Sequence, residues 1–259
     1  MRRRSRGAVA LVVAGLALGL CAREARAQTF ADEASMVEAE PGSYRSPQQF
    51  AFELRFGPFR PDVDSEFNGL RQPYQDFFGS GSRLLTQIEF DYEFFHAFGT
   101  AAIGVGIGYF QITGTSPVAD GTGLPSGDSS TFKVVPMSLS AVYRFDYFLG
   151  AKKFPLVPYG KAGLDYSYWQ ITNGNGDIAT DGMGGRGRGG TDGWHVAAGA
   201  ALVLDMFDPE AARDFDADLG VNHTALVFEF NHADVSGLFL SNRLHVGDTT
   251  WSLGLLVQF

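Results

Sequence analysis

The residues of this chain best suited to chemistry are its histidines and the acids around them. Five histidines stand at positions 96, 195, 223, 232 and 245. None forms a His-x-x-x-His pair, which would put two imidazoles on one helical face for a metal. His232 and His245 flank a turn-rich stretch with Ser241 between them, and Asp234 and Asp248 stand close by. A serine, a histidine and an orienting carboxylate are the ingredients of acyl transfer. A lipid hydrolase is therefore one reading, and loop residues gathered by chance are the simpler one. Gly182-x-Gly184-x-x-Gly187 matches a dinucleotide fingerprint in spacing, but it lies in a long loop without the helix that should follow. "GRGRGG" at 185–190 is one copy of a repeat that RNA-binding segments carry in many copies. Asp177, Asp181 and Asp192 match no calcium-loop spacing. The sequence thus nominates no catalytic, cofactor-binding or metal-binding residue, and no catalysis is expected.

A second set of chemical residues is defined by parity. Segments of about 10–15 residues alternate apolar and polar side chains, a period of two that predicts β-strands. In "FAFELRFGPF", Phe50, Phe52, Leu54 and Phe56 oppose Glu53 and Arg55; in "LLTQIEFDYEFF", six apolar or neutral positions oppose Gln87, Glu89, Asp91 and Glu93. "AAIGVGIGYFQI" sets Ile103, Val105, Ile107 and Tyr109 against a row of Gly104, Gly106 and Gly108. "FKVVPMSLSAVYRFDYF" puts Arg144 and Asp146 on its polar face, with Pro136 tolerable only at a strand end or bulge. "PYGKAGLDYSYWQI" contributes Lys161 and Asp165, "WHVAAGAALVL" a sixth strand, and "TALVFEFNH" Glu229. The eighth, "TTWSLGLLVQF", aligns Trp251, Leu253, Leu255, Val257 and Phe259, with Leu256 the one apolar residue of the opposite parity.

Eight strands joined by alternately long and short connections predict an all-β, antiparallel up-and-down barrel over residues 50–259. The long connections are expected at 60–82, 114–130, 172–193 and 233–248. The short ones fall at 96–99, 150–156 and 207–221, the last as a small helix that Asp208 caps, Pro209 begins and Gly220 ends. Alternation alone does not say which face meets water. Glycine and serine dominate the polar faces, which suits a narrow interior filled by larger neighbours. Large aromatics gather near the ends of the apolar faces, at Phe50, Phe56, Phe94, Tyr109, Tyr147, Tyr168, Trp251 and Phe259, as interfacial girdles do. The expectation is a transmembrane barrel with lipid outside, and a soluble periplasmic ligand-binding barrel is its inverse. The lumenal polar cluster would be Glu53, Arg55, Glu89, Asp91, Glu93, Arg144, Asp146, Lys161, Asp165 and Glu229. It reads as a salt-bridged plug, with a narrow cation-selective pore or proton path as the alternative.

The front of the chain fits export. "RRRSR" precedes 14 residues of "GAVALVVAGLALGL" and then Ala25-x-Ala27, the pattern of a secretory signal peptide cleaved after Ala27. Leu20 is too large to precede a lipidated Cys21, and the residues after the arginines do not fit a twin-arginine signal. Residues 28–49 are acidic, aperiodic and expected to form a flexible lead-in. Cleavage removes six arginines and one glutamate, leaving 14 basic against 28 acidic residues and no cysteine. Disulfides and nucleic-acid partners are therefore not expected.

An alternating strand ending in Phe259 resembles the C-terminal signal of bacterial outer-membrane β-barrels. More locally, "FELRFGPFRPDVDSEF", "YGKAGLDYSYW" and "WSLGLLVQF" resemble small outer-membrane barrels of predatory or gliding Gram-negative bacteria. That resemblance implies outer-membrane lipids and the barrel-assembly machinery as partners, and it brings no active-site residue. The expected role is structural or interactive, through four long outer loops. A porin-like pore for small solutes or hydrophobic ligands is the main alternative.

Overall fold

The computed structural model describes residues 48–117, 125–147, 149, 154–180, 185–239 and 244–259. The expected signal peptide, Cys21, most of the lead-in, Asp181, Gly182, Gly184 and Ser241 lie outside the described residues. Eight strands, β1 (Phe50–Phe59), β2 (Arg83–His96), β3 (Thr100–Pro117), β4 (Pro125–Arg144), β5 (Leu156–Asn173), β6 (Arg188–Val203), β7 (His223–Asp234) and β8 (Asp248–Gln258), pair in sequence order. Every pairing is antiparallel, and β8 returns to β1 to close the barrel. Closure leaves no unpaired edge. The closing seam is extended by backbone bonds from Phe50 N–H and Gln49 N–H to the Phe259 carbonyl, 2.7 and 3.0 Å. Gln49 also accepts from Glu93 N–H at 2.7 Å, so the last two lead-in residues belong to the barrel rather than to a free tail.

The period of two is realised wall by wall. Along β1, Ala51, Glu53, Arg55 and Phe59 are buried while Phe52 and Phe56 are exposed. Outward residues such as Phe90, Ile103, Val105, Leu139, Leu164, Phe228 and Leu253 keep 41–55 % of their surface exposed, which makes a continuous apolar belt. Leu256 breaks the terminal alternation because it faces inward, packed with Ala51 and Val227. A bulge between Glu93 and Phe95 interrupts the β2–β3 register.

Two expectations about connections are corrected. Residues 114–117 and 125–130 extend β3 and β4, and residues 188–193 extend β6. Their Thr, Ser and Gly residues still pair through the backbone, but they lack a sided apolar pattern, so the period was silent there. Pro136 lies inside β4 rather than at its end. The β3–β4 ladder skips from Ile107–Met137 to Phe110–Val134 with register preserved, because a proline has no N–H to give. The helix between β6 and β7, α2 (Pro209–Leu219), forms as expected: Asp208 accepts from Ala211 N–H at 3.1 Å, and Gly220 closes it at φ +69°. A shorter helix, α1 (Pro73–Phe78), sits in the β1–β2 loop after a 3₁₀ turn at Val63–Phe67.

The interior is layered. At the end carrying the short turns, Ala51, Val157, Tyr159, Ala201, Val203, Ala225, Val227 and Leu256 form one apolar cluster. At the long-loop end, Phe59, Leu85, Phe110, Phe132 and Val134 form another with Val63, Tyr74, Val235 and Val246 from the loops. The polar residues occupy the space between.

Candidate functional site

The lumen holds the densest chemistry of the fold. β1 and β2 place Glu53 directly opposite Glu89, and inward parity points both at the axis. Lys161 of β5 answers them with its ammonium, 2.7 Å from Glu53, 2.9 Å from Glu89 and 3.3 Å from Glu229. Arg55 bridges Glu89, at 2.5 Å, and Glu229. Arg144 gathers Glu53 at 2.9 Å, Glu93 at 3.1 Å and Asp91. Glu93 also accepts from Gln258 at 2.8 Å and Gln48 at 2.6 Å, and Tyr159 donates to Glu229 at 3.2 Å. All eight charged side chains are at most 6 % exposed. Burial on this scale is tolerable only because nearly every charge is paired and hydrogen-bonded.

The glycine row of β3 makes the room. A Cβ on Gly104 would run into the Asp91 carboxylate and lie 3.0 Å from Glu89 Oε1. Glu53, Glu89 and Asp91 offer oxygens within 4.8 Å of one another, but Lys161 and the two arginines already fill the space between carboxylates. Of the ten residues expected in this cluster, eight meet. Asp146 does not: it lies beyond the end of β4, half-buried, and accepts from Thr100 Oγ1 at 2.5 Å. Asp165 belongs to a separate group one layer toward the loops. Both His195 Nδ1–Asp165 Oδ distances are 3.0 Å, and His195 Nε2 lies 3.2 Å from Ser140 Oγ.

Ser140 and His195 were not singled out by sequence. Parity places both inward, opposite Leu139 and Val196, but their meeting depends on register. Ser140 pairs with Gly163, and Gly163 with His195, so the imidazole crosses the bare glycine to reach the serine. A Cβ on Gly163 would sit 2.6 Å from His195 Cε1.

At the loop end, Arg60, Asp64, His232, Asp234, His245 and Asp248 line a polar cleft of about 700 Å³. The rim histidines are spent on hydroxyls: His232 Nδ1 meets Thr249 Oγ1 at 2.7 Å, and His245 Nδ1 meets Ser65 Oγ at 2.9 Å. Asp248 accepts instead from Arg60 N–H at 2.8 Å and Thr249 N–H at 2.7 Å. The acid–histidine pairing that the hydrolase reading would need at the rim is absent among the described residues. Below it, Tyr74 of α1 is buried, and burial pushes its hydroxyl up to about 12.

The Gly-rich stretch also resolves. Gly187 donates its N–H to the Ala179 carbonyl at 2.8 Å, and β6 rather than a helix follows. Asp192 is in β6, not in a loop with Asp177, and accepts from Phe239 N–H at 2.6 Å. On the terminal strand Trp251, Leu253, Leu255 and Phe259 face outward.

Fold and interior define a small, closed, internally plugged up-and-down β-barrel. No family model and no curated protein matches the chain. Among solved structures it is similar to Ail, the attachment invasion locus protein of Yersinia pestis, at 12 % identity over 83 % of this chain and 99 % of that one, TM-score 0.38. The N-terminal β-barrel domain of Pseudomonas aeruginosa OprF gives 15 % identity, 82 % and 100 % coverage and a TM-score of 0.39. The outer membrane enzyme PagL gives 11 %, 81 % and 98 %, and 0.34.

Proposed function

We propose that the chain is an exported outer-membrane barrel of structural or interaction type, with its long-loop end outside the cell and α2 on the periplasmic side. The observation that carries this reading is the inverted distribution of side chains. A belt of Phe, Leu, Ile and Val faces outward while eight paired charges are buried. In water each large belt residue, about half exposed, would forgo about 1 kcal/mol of burial; in lipid that cost vanishes, and the closed sheet leaves no unpaired edge. A soluble ligand-binding barrel would need the opposite arrangement.

The two apolar layers and the ion-paired plug between them favour a binding surface over a pore. The surface on offer is the cleft between the 60–82 and 235–247 loops. The outward-facing Trp251, Leu253, Leu255, Val257 and Phe259 are the segment the assembly machinery would recognise. Fractionation followed by SDS gels of boiled and unboiled samples tests the reading. The expected result is an outer-membrane band that migrates compactly until heated; a soluble periplasmic band without a heat shift would overturn it.

A further inference from the structure

The cleft at the loop end carries an unbalanced set of charges. Asp62, Asp64, Asp234 and Asp248 line it, and among the described residues its one Arg or Lys is Arg60. Arg60 is committed to Asp64 at 3.3 Å, which leaves three carboxylates in surplus. Asp62 and Asp234 are exposed and make no side-chain hydrogen bond or ion pair among the described residues. No Phe, Tyr, Trp or Leu side chain lines the cleft there, so an apolar guest would find little to bury against. A second observation is independent of the acids. Tyr74 is 3 % exposed, and its hydroxyl is buried without a hydrogen-bond partner. The charges that act on that hydroxyl are those of Arg60, Arg83, Asp64 and Asp248. Three of these line the cleft and Arg83 follows Ser82, another of its walls, so the hydroxyl is turned toward the cleft floor. A phenolic oxygen accepts as well as donates, and a buried one without a partner calls for a guest. The spacing of the acids selects the guest. Three ligating oxygens within 4.8 Å of one another, as a single metal ion needs, occur among the described residues only at Glu53, Glu89 and Asp91. The cleft carboxylates are spread more widely and suit positive charges strung along a chain.

We propose that the cleft binds a linear aliphatic polyamine, a triamine of spermidine's size, through its protonated nitrogens. This rests on the reading of the loop end as an exposed binding surface and names the ligand class of that surface. A cleft of about 700 Å³ is of the size that holds small molecules. Asp62 and Asp234, which have no partners of their own, make the principal contacts, and Asp248 makes a third. The hydroxyls of Ser80, Ser82 and Ser236 on the same walls accept the remaining N–H groups. Each ammonium thereby brings donors to oxygens that lack them, while an anion would meet like charge.

Equilibrium dialysis of labelled spermidine against the full chain, folded in a zwitterionic detergent, tests the site. The expected result is saturable binding that weakens as sodium chloride is added. Asp62→Asn combined with Asp234→Asn is expected to weaken it roughly 10-fold. Asp214→Asn combined with Asp218→Asn removes the same charge from exposed positions of α2, at the other end of the barrel, and is expected to leave binding unchanged. All four positions are exposed, so the heat-shifted gel band is expected to persist in both double variants. No saturable binding by the heat-shifted wild-type chain, or equal weakening by the two double variants, overturns the proposal. Full displacement of spermidine by calcium at matched ionic strength also overturns it, since a general acidic patch would behave that way. Trilysine binding tighter than spermidine would overturn the assignment to a free amine in favour of a basic peptide. None of these outcomes touches the outer-membrane reading, which fails only if the chain fractionates as a soluble protein without a heat shift.

Discussion

Lys161 reaches Glu53 at 2.7 Å from the far wall of the barrel. β1 and β5 are four strands apart in either direction around the closed sheet, so this contact spans the full width of the lumen. An eight-stranded barrel is just wide enough to be filled by its own side chains, and here an ion pair serves as the cross-brace.

That brace predicts electrical silence. Planar bilayers containing the folded chain should show conductance at background, because the charged layer is capped by apolar clusters at both ends. Discrete, salt-dependent current steps from the wild-type chain would contradict a plugged lumen.

Arg55 should be costly to remove and tolerable to replace together with its partner. Arg55→Ala leaves Glu89 and Glu229 buried with one cation fewer, a loss of about 3–5 kcal/mol. Joint replacement by Arg55→Met and Glu229→Leu should recover much of that loss, since Glu89 keeps Lys161. Urea unfolding in lipid vesicles measures both; equal destabilisation by the single and double variants would show that charge pairing is not what holds this layer.

The belt should reject charge. Leu253→Arg places a guanidinium on the lipid-facing wall at a cost of roughly 2–4 kcal/mol near the bilayer midplane. Ser252→Thr, one residue away on the inner face, should be mild by comparison. The heat-shifted band in the membrane fraction reports the difference, and a tolerated Leu253→Arg would mean that this wall does not meet lipid.

Tyr74 makes the loop end sensitive to alkali. Its folded-state value of about 12 lies above the ordinary value of 10, so folding favours the neutral hydroxyl. The stabilisation is complete below pH 10 and is lost as pH rises from 10 toward 12. Protease cleavage in the 60–82 loop should accelerate across that window, and Tyr74→Phe should shift or remove the acceleration.

Much of this was legible in the chain. Strand number followed from parity, and facing from composition, because polar faces dominated by glycine and serine suit a narrow interior filled by larger neighbours. Glu53 and Glu89 were legible as neighbours because one hairpin joins them. What parity withheld was register across several strands. Ser140 meets His195 only because two consecutive pairings align through Gly163, and no single segment encodes that sum. Asp146 was misplaced for a related reason: it keeps the inward parity of β4 but lies past the strand's last residue. The extensions of β3, β4 and β6 were missed where both faces are polar and a strand has no face to declare.

Pro136 gives the wall a seam. Between Ile107–Met137 and Phe110–Val134 two rungs are missing, and Gly108 on the facing strand contributes no side chain to cover the gap. The hoop of hydrogen bonds is interrupted there, but its shortest seam is the closing one, where β1 and β8 pair only from Ala51–Gln258 to Phe56–Leu253. If the sheet were pulled open sideways, the β1–β8 seam is where the tear would start, with the gap at Pro136 a second weak point, while the β4–β5 ladder, which continues through Pro136–Ser167, would hold.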